Sequence, residues 1–401
     1  MKKVFIVSAK RTPIGKFMGS LSSFSASDLG AKVIKSILEE THLNPENVDT
    51  VIVGNVLSAG LKQGVARQCA IKAGIPVEKT AYSINMVCGS GMKAVMNGCT
   101  DILAGFASVV IAGGAESMSN AGFILPGEIR NGFKMGNMEA IDHTVNDGLT
   151  DAFNNYHMGI TAENIAEQLD ITRDEQDKFS FLSQQKAITA VDGDKFKAEI
   201  VPMEIISRKE TVVFDKDEFP NRTSTPEKLA NLRPAFKIDG TVTAGNASGI
   251  NDGASFVMLA DEEAVKKYNL VPLAEIIAFG EGGVDPKVMG LGPIPAIRSA
   301  LNRAKMKLSD MEIIELNEAF AAQSLGVIKN LCEEHGVTKE WFAERTNIYG
   351  GAIALGHPIG ASGNRILVSL VHELKIYDKK IGLASLCIGG GMGTAIIIKS
   401  V

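Results

Sequence analysis

The chain has 401 residues, 45% of them hydrophobic and 22% charged, which is the composition of a soluble globular protein. Because single hydrophobic cores seldom grow this large, we expect two or three domains. The formal net charge of -5 excludes the globally basic balance that nucleic-acid binding favours, so we expect no nucleic-acid partner.

The first residues and the hydropathy of the chain favour a cytoplasmic protein. The apolar run after Met1 is short and leads straight into the polar Lys10–Pro13, unlike a signal peptide. No stretch approaches the roughly 18 consecutive apolar residues of a membrane span, so we expect no association with a membrane.

Short apolar runs that predict strands alternate with helical patterns along the chain. The predicted strands include Val4–Val7, Thr50–Val53, Val109–Ala112, Ile313–Ile314 and Ala395–Ile398. The predicted helices include Asp28–Thr41, Gly91–Ala104, Ile294–Lys305 and Gly363–Leu374. This alternation predicts an α/β fold with a mainly buried sheet.

The two halves of the chain repeat one pattern. In each half a helix leads to a strand, and a glycine- and serine-rich turn then opens another helix, at Cys88–Gly91 and at His357–Gly363. We also expect each half to close on a strand pair bent at glycines, at Gly113–Gly114 and at Gly389–Gly391. The repetition predicts two similar domains packed face to face.

Residues between the halves have a different composition, rich in Asn, Gly and Met. They include a charged helix, Thr172–Ala190, that opens with a capping-box pattern, and a loop, Phe219–Pro226. We expect this part to be an insertion that lies over the site. The predicted domains are residues 1–118, completed by 249–270, then an inserted loop domain of 119–248, and a C-terminal domain of 271–401.

Five cysteines are present, an odd number with no Cys-x-x-Cys pair. They are Cys69, Cys88, Cys99, Cys332 and Cys387. This pattern disfavours a disulfide framework and a cysteine zinc site, so we expect free thiols in a reducing compartment and no metal.

Cys88 lies where a strand-like approach ends and a helix begins within Gly-Ser-Gly. A thiol at a helix N-terminus faces free amides and the positive end of the dipole, so we expect a lowered pKa and a nucleophilic thiolate. Its own amide can also bind an oxyanion. A lone cysteine is more often a small buried hydrophobe, and we keep that interpretation for Cys69, Cys99 and Cys332.

His357 lies in the glycine-rich run Gly350–Gly363. Gly356 and Pro358 on its two sides restrict the backbone and leave the imidazole unshielded. We expect it to take the proton of Cys88 and to donate to a thioester oxygen. A lone histidine is usually a surface or core residue, and the glycine context reverses that preference.

Two further residues follow predicted strands. Cys387 lies beside a glycine turn, where a second thiol can move a proton at carbon and the amides of Gly389 and Gly390 can meet a negative charge. Taken alone, that glycine run equally fits a tight hairpin. The side-chain amide of Asn317 can hold a water for an oxyanion site or cap a helix over Glu318–Asn330, and both can be true.

Seven basic residues between positions 208 and 237 can meet the phosphates of a nucleotide-tailed substrate. They are Arg208, Lys209, Lys216, Arg222, Lys228, Arg233 and Lys237. Taken singly, each is more simply a solvated surface cation. ATP and NAD have no support, because neither a P-loop nor a dinucleotide-binding fingerprint occurs.

Over nearly its whole length the chain resembles the thiolase family, specifically the short-chain biosynthetic type. The likeness rests on motifs that are highly specific in combination. They are Asn85–Gly91, His157–Asn164, Leu232–Phe236, Gly240–Asp252, Asn317–Phe320, Gly350–Gly363 and Cys387–Gly393. The resemblance implies a five-layered thiolase fold with an inserted loop domain, in a homodimer or homotetramer.

The resemblance also implies an activity: condensation of two acetyl-CoA to acetoacetyl-CoA and CoA, and the reverse thiolysis, through an acetyl-cysteine. Cys88 would accept the acyl group, and Cys387 would remove a proton from the acetyl methyl. His357 would activate Cys88 and, with a water on Asn317, form one oxyanion hole. The amides of Cys88 and Gly389 would form the second.

The substrate contacts implied by the resemblance lie mainly in the inserted segment. They are His157, Met158, Ser248, Leu149, Ala319 and Phe320, with Arg222 and Lys228 near the nucleotide of CoA. No cofactor is implied, because CoA is both substrate and product.

The chain departs from the family pattern at Tyr349, where Asn or Lys is common, and in a longer loop over residues 331–346. A degradative 3-ketoacyl-CoA thiolase acting on longer chains is an alternative. A ketoacyl-carrier-protein synthase is disfavoured, because a second histidine would be expected at position 387. A CoA-binding redox sensor that pairs Cys88 with Cys387 is a third alternative.

Overall fold

The computed structural model describes residues 2–206 and 210–401. Arg208 and Lys209 of the predicted basic cluster lie outside the described residues. The α-helices described are α1 (Ala26–Thr41), α2 (Val65–Lys72), α3 (Ser90–Leu103), α4 (Met158–Gln168), α5 (Arg173–Asp192), α6 (Pro226–Ala230), α7 (Glu262–Lys267), α8 (Pro293–Ala304), α9 (Ala321–His335), α10 (Lys339–Ala343), α11 (Ala352–Leu355) and α12 (Ile359–Ile376). The strands described are β1 (Val4–Arg11), β2 (Gly15–Lys16), β3 (Thr50–Gly54), β4 (Thr80–Ile84), β5 (Val109–Ser117), β6 (Phe123–Ile124), β7 (Ile141–Asp142), β8 (Met203–Ile206), β9 (Thr211–Phe214), β10 (Asn251–Asp261), β11 (Ala274–Gly283), β12 (Ile313–Leu316), β13 (Ile381–Ile388) and β14 (Met392–Ser400).

One large mixed sheet runs through the molecule, with the strand order β12-β13-β14-β11-β1-β10-β5-β3-β4. In its first half, β3 is parallel to β5, β5 is antiparallel to β10, and β10 is antiparallel to β1. In its second half, β12, β13, β14 and β11 pair in the same sequence of directions. The halves join where β1 pairs with β11. This repeated order confirms the predicted duplication, whereas the domain boundaries stay a prediction.

Side chains on successive strand positions face different helices, and this alternation builds the layers. In β5, Val109 and Ile111 pack in the cluster that contains α1, whereas Val110 packs with α3 and α12. In β14, Ile396 packs with α3 and α12, whereas Ile397 packs with α8. Helices α3 and α12 therefore lie between the two halves of the sheet, and the five-layered fold is confirmed.

The inserted segment runs from the end of β5 to the start of β10. Helix α5 begins where predicted: the Thr172 side chain accepts from the Glu175 N–H, and the Glu175 carboxylate accepts from the Thr172 N–H at 2.9 Å. Helix α4 packs through Met158 and Ile165 into the cluster that contains Met289 and α9. The insertion is thus anchored on the second half of the fold.

Two local predictions are wrong. Gly113 and Gly114 lie inside β5 and not at a bend. Glycine is needed at position 114 because a Cβ there would lie 1.9 Å from the backbone oxygen of Gly360. Residues 331–346 are not one loop, since they contain the end of α9 and all of α10. Among the described residues, no helix has both the length and the apolar character needed to cross a bilayer.

Candidate active site

Cys88 lies on a tight turn between β4 and α3. The Asn85 Oδ1 accepts a hydrogen bond from the Val87 N–H at 3.0 Å, and the Ser90 Oγ accepts one from the Met86 N–H at 2.8 Å. Val87 has a φ of 46°, a left-handed conformation that is unusual for a β-branched residue. A strained residue therefore directly precedes the candidate nucleophile, as is common at functional sites.

The prediction of a lowered pKa at Cys88 is wrong. Burial raises the pKa of the Cys88 thiol to about 11, although the Gly389 N–H directed at the sulfur acts in the opposite sense. Helix α3 begins only at Ser90, and desolvation outweighs what its N-terminus supplies. Cys88 therefore rests as a thiol, and it would need a base to act as a nucleophile.

The imidazole of His357 is buried and held on two sides. Its backbone N–H donates to the Asn251 Oδ1 at 3.0 Å, and its Nδ1 lies 2.6 Å from the Ser362 Oγ. The Ser362 hydroxyl donates to the Pro358 carbonyl at 2.9 Å, so Nδ1 must carry the ring proton. This assignment follows from the hydrogen-bond network, and it leaves a lone pair on Nε2. His357 is therefore set up as a base at Nε2.

The neutral form of His357 persists to low pH. Burial, with a smaller contribution from Arg365, lowers the pKa of His357 to about 4. We expect the acid limb of kcat/KM for thioester cleavage to lie well below the ordinary histidine value of about 6.5, because only neutral imidazole accepts the thiol proton. Activity should be kept as the pH falls through that value and lost as it approaches the pKa of His357. Steady-state rates against pH test this, with circular dichroism to exclude acid unfolding, and a limb near the ordinary value would contradict it.

Ser362 should act on catalysis through the tautomer of His357. Replacing Ser362 by alanine removes the acceptor of the Nδ1 proton, and we expect kcat to fall about tenfold. The matched control is Ser369→Ala, another buried serine of α12, whose hydroxyl donates to the Glu199 Oε1. Thermal melting separates a loss of kcat from a loss of stability. Equal losses of kcat in Ser362→Ala and Ser369→Ala would contradict the positioning role of Ser362.

Cys387 lies near the end of β13, next to the hairpin turn Gly389–Gly391 that leads to β14. Gly390 and Gly391 have φ values of 86° and 87°, which only glycine adopts at little cost. The predicted glycine hairpin is therefore confirmed. Burial, and next the proximity of Cys88, raises the pKa of the Cys387 thiol. A thiolate formed at Cys387 is consequently a strong base.

Most of the predicted site residues line one cavity of about 400 Å³. Cys88, His357, Cys387 and Gly389 all face it. The predicted substrate contacts that also line it are Leu149, His157, Met158, Ser248, Ala319 and Phe320. Folding thus collects motifs from both halves of the chain and from the insertion into a single chamber.

Asn317 lies directly after β12, two residues before the cavity-lining Ala319. Its backbone N–H donates to the Ser385 carbonyl at 3.0 Å, which places it beside the strand that carries Cys387. The predicted cap is wrong, because α9 begins at Ala321 with Phe320 in the capping position. The Asn317 Nδ2 and Oδ1 are buried and have no partner among the described residues, so both remain able to bind a ligand or water.

A wider cavity of about 960 Å³ adjoins the first, and Phe219 and Ala244 line both. Arg222 and Lys228 line this second cavity. Arg222 forms two hydrogen bonds to Asp192, at 2.8 and 2.7 Å, on the surface. The two cations therefore line the cavity that adjoins the chamber.

The rest of the predicted basic cluster is dispersed. Lys216 pairs with Asp194, and Lys237 pairs with Glu167, both at exposed positions. Among the described residues, neither lysine lines the two adjoining cavities. Closeness in sequence did not bring these charges to one site.

Two features of the site were missed in the sequence. The Phe236 ring stacks on the His157 ring at a distance of 4.5 Å between ring centres. In the sequence, only the position of Phe236 at the end of the motif Leu232–Phe236 pointed to a role in the site. The buried carboxylate of Glu116 accepts hydrogen bonds from the N–H groups of Val56, at 3.0 Å, and Gly360, at 2.9 Å. Glu116 thereby ties the first half of the sheet to the segment that follows His357, and a charged residue within an apolar strand was a usable signal.

Comparison with known proteins agrees with this architecture. The chain matches the family models "Thiolase, N-terminal domain" over residues 4–263 and "Thiolase, C-terminal domain" over residues 270–400. An acetyl-CoA acetyltransferase of Chromobacterium violaceum is 53% identical over 398 residues, which cover 99% of each chain. One from Escherichia coli is 50% identical over 399 residues, which cover 100% of this chain and 99% of the relative.

Solved structures give the same result. The Bacillus anthracis acetyl-CoA acetyltransferase superposes with a TM-score of 0.95 at 43% identity, over 100% of this chain and 99% of the other. Human mitochondrial 3-ketoacyl-CoA thiolase in complex with CoA gives 0.93 at 44% identity, over 100% of this chain and 98% of the other. From the two family models, which together span nearly all of its length, the chain belongs to the thiolase family.

Proposed function

We propose that this protein is an acetyl-CoA C-acetyltransferase, which condenses two acetyl-CoA molecules to acetoacetyl-CoA and CoA and catalyses the reverse thiolysis. The observation that carries the proposal is the single chamber lined by Cys88, His357, Cys387 and Gly389. Relatives of that name at about 50% identity over their full length support it. A nucleophile, two bases and oriented amides are the groups that thioester exchange requires.

In the first half-reaction, the His357 Nε2 takes the proton of Cys88 as the sulfur attacks the carbonyl carbon of acetyl-CoA. Both groups are neutral at rest, so charge forms only during the attack. The developing oxyanion meets the amides of Cys88 and Gly389, and the Gly389 N–H already points to the sulfur. The thiolate of CoA leaves and takes the proton of Cys387, and an acetyl group remains on Cys88.

In the second half-reaction, the Cys387 thiolate removes a methyl proton from a second acetyl-CoA. The enolate oxygen is held by the protonated His357 and by a water on the amide of Asn317, whose polar atoms have no partner among the described residues. The carbanion attacks the acetyl group on Cys88, which leaves as a thiolate and recovers its proton from His357. Cys88 thus regains from His357 the proton it gave, and the methyl proton replaces the one that Cys387 gave to CoA, so the enzyme is regenerated.

Mass spectrometry after incubation with isotope-labelled acetyl-CoA tests the proposal directly. The expected result is one acetyl group on the peptide that contains Cys88, together with formation of acetoacetyl-CoA. An acetyl group elsewhere, or condensation without any acetyl-enzyme, would overturn the scheme.

Chain length separates this proposal from a degradative 3-ketoacyl-CoA thiolase, which the likeness to the human enzyme keeps as the alternative. Met158, Met289 and Phe320 wall the chamber. We expect thiolysis of a four-carbon 3-ketoacyl-CoA to exceed that of a sixteen-carbon one by at least about tenfold in kcat/KM. Comparable rates would favour the degradative alternative.

We further propose that CoA extends from the chamber into the adjoining cavity, with its phosphates near Arg222 and Lys228. In this scheme CoA is substrate and product, and its pantetheine passes the stacked rings of His157 and Phe236. Ser248 lines the same passage. A Lys228→Ala variant that keeps the KM of the parent for acetyl-CoA would argue against this placement.

We also propose a cytoplasmic homodimer or homotetramer. Strand β4 lies at one edge of the sheet with Tyr82 exposed, and exposed edge strands invite pairing. Phe123, Phe133 and Met135 are exposed apolar side chains of the insertion, a feature of association surfaces. Light scattering coupled to size-exclusion chromatography measures the oligomeric state.

The proposed cytoplasmic location rests on the cysteines. The free thiols of Cys88 and Cys387 suit a reducing compartment.

A further inference from the structure

A third cavity, of about 320 Å³, lies between α5, α9 and α10. Among the described residues, none lines both this cavity and the catalytic chamber. Its apolar wall includes Phe179 on α5, Leu325 and Ile328 on α9, and Phe342 on α10. Small-molecule sites have volumes of about 300–1,000 Å³ and are mainly apolar with a few polar groups, so this cavity has the size of such a site.

The cavity also contains cations and an unsatisfied hydroxyl. Lys186, Lys329 and Lys339 line it, and the Lys186 Nζ donates to the Thr346 carbonyl at 3.0 Å. Lys339 is exposed and forms no ion pair with any residue that the structure describes. Thr346 is 6% exposed, and its Oγ1 has no partner within the described part of the chain. A buried hydroxyl without a partner is costly, so the Thr346 Oγ1 is available to a ligand or a water in this cavity.

Two of the three carboxylates that line the same cavity, Glu318 and Glu175, are already engaged, whereas Asp170 is exposed and forms no side-chain hydrogen bond or ion pair among the described residues. The Glu318 carboxylate accepts from the Ser183 hydroxyl at 2.6 Å and from the Asn347 Nδ2 at 2.8 Å. Glu175 accepts from the Thr172 N–H as part of the capping box of α5. Lys339 and the Thr346 hydroxyl thus offer a ligand a positive charge and a hydroxyl, a combination that suits an anion.

We propose that this cavity binds an amphipathic monocarboxylate of the fatty-acid class. The carboxylate meets the ammonium of Lys339 and the hydroxyl of Thr346, and the hydrocarbon chain lies against Phe179, Leu325 and Phe342. The ligand would be recognised by two features together, a carboxylate and a saturated chain.

The single tryptophan of the chain reports on this cavity. Trp341 lies on α10, and its ring contacts the ring of the cavity-lining Phe342 at 5.2 Å in an edge-to-face arrangement. We would titrate the whole protein with sodium octanoate, follow Trp341 fluorescence, and confirm binding by calorimetry. CoA at a saturating concentration occupies the catalytic chamber throughout. The expected result is saturable binding that CoA does not displace.

Variants assign the signal to the two polar contacts. Lys339→Met and Thr346→Val keep the size of each side chain, and Lys339→Met is expected to weaken octanoate binding about tenfold. Lys178→Met, an exposed position of α5 outside the cavity lining, is the matched control and should bind like the parent. Melting curves establish that each variant is folded.

Four outcomes would overturn the proposal. They are absence of saturable binding by both methods, displacement by CoA, unchanged affinity in Lys339→Met, and equal affinity for octylamine. The last result would show that the cavity selects the hydrocarbon chain and not the carboxylate.

Discussion

Replacing Cys88 by serine is expected to lower kcat for acetoacetyl-CoA thiolysis by about 10⁴-fold, because a hydroxyl is a far weaker nucleophile than sulfur. The substitution is nearly isosteric and leaves the hydrogen bonds of the turn at Asn85 and Ser90 in place. Loss of absorbance of acetoacetyl-CoA measures the rate. Mass spectrometry of the variant after incubation with acetyl-CoA should show no acetyl group at position 88.

The control for this variant is Cys332→Ser. Cys332 is half-buried on α9 and does not line the catalytic chamber among the described residues, so its replacement should leave turnover unchanged. A Cys88→Ser enzyme that keeps turnover within about tenfold of the parent would refute the covalent scheme.

Replacing Cys387 by alanine should separate the two half-reactions. Acetylation of Cys88 requires the nucleophile and His357, and CoA can leave as a thiolate without the proton of Cys387, so labelled acetyl-enzyme should still accumulate to one equivalent. Condensation requires a base at the methyl carbon, and we expect acetoacetyl-CoA formation to fall by about 10³-fold. Mass spectrometry of the enzyme and chromatography of CoA esters measure the two steps in one sample.

Cys99→Ala is the matched control for Cys387→Ala. Cys99 is another buried thiol, located on α3 between the two halves of the sheet, and its removal should leave both steps intact. If Cys387→Ala abolishes acetyl-enzyme formation while its melting temperature equals that of the parent, Cys387 is essential to the first half-reaction and the proposed separation of the two steps is wrong.

Many elements of this fold and several candidate site residues could be predicted from local sequence chemistry. The capping box at Thr172 and Glu175 and the glycine turn after Ile388 act over a few residues, so each was predicted where it occurs. Hydrophobic periodicity likewise predicted helices such as α1 and α12 and one or more strands of each half, such as β3 and β14. The candidate residues Cys88 and His357 were identified because cysteine and histidine beside glycine-rich turns are locally unusual.

The predictions were wrong where contacts with a distant part of the chain determine the local structure. Gly113 and Gly114 were predicted to form a bend, but they lie within β5, where the absence of a side chain on Gly114 allows the backbone of Gly360 to approach closely. The cap predicted at Asn317 failed because its neighbours direct it beside β13 and leave its amide free. The basic cluster separated because Lys216 and Lys237 each pair with a different acidic residue on the surface, whereas Lys228 donates to the Thr223 carbonyl.

The amino-acid sequence by itself determined the duplicated α/β pattern, the insertion and the candidate reactive groups, since these follow from local periodicity and residue chemistry. Only the tertiary structure decided that Cys88 rests as a thiol, that His357 stays neutral, and that Glu116 and Phe236 support the site. The physical reason is that burial and hydrogen bonding depend on segments far apart in the chain, whose contacts exist only after the layers have packed.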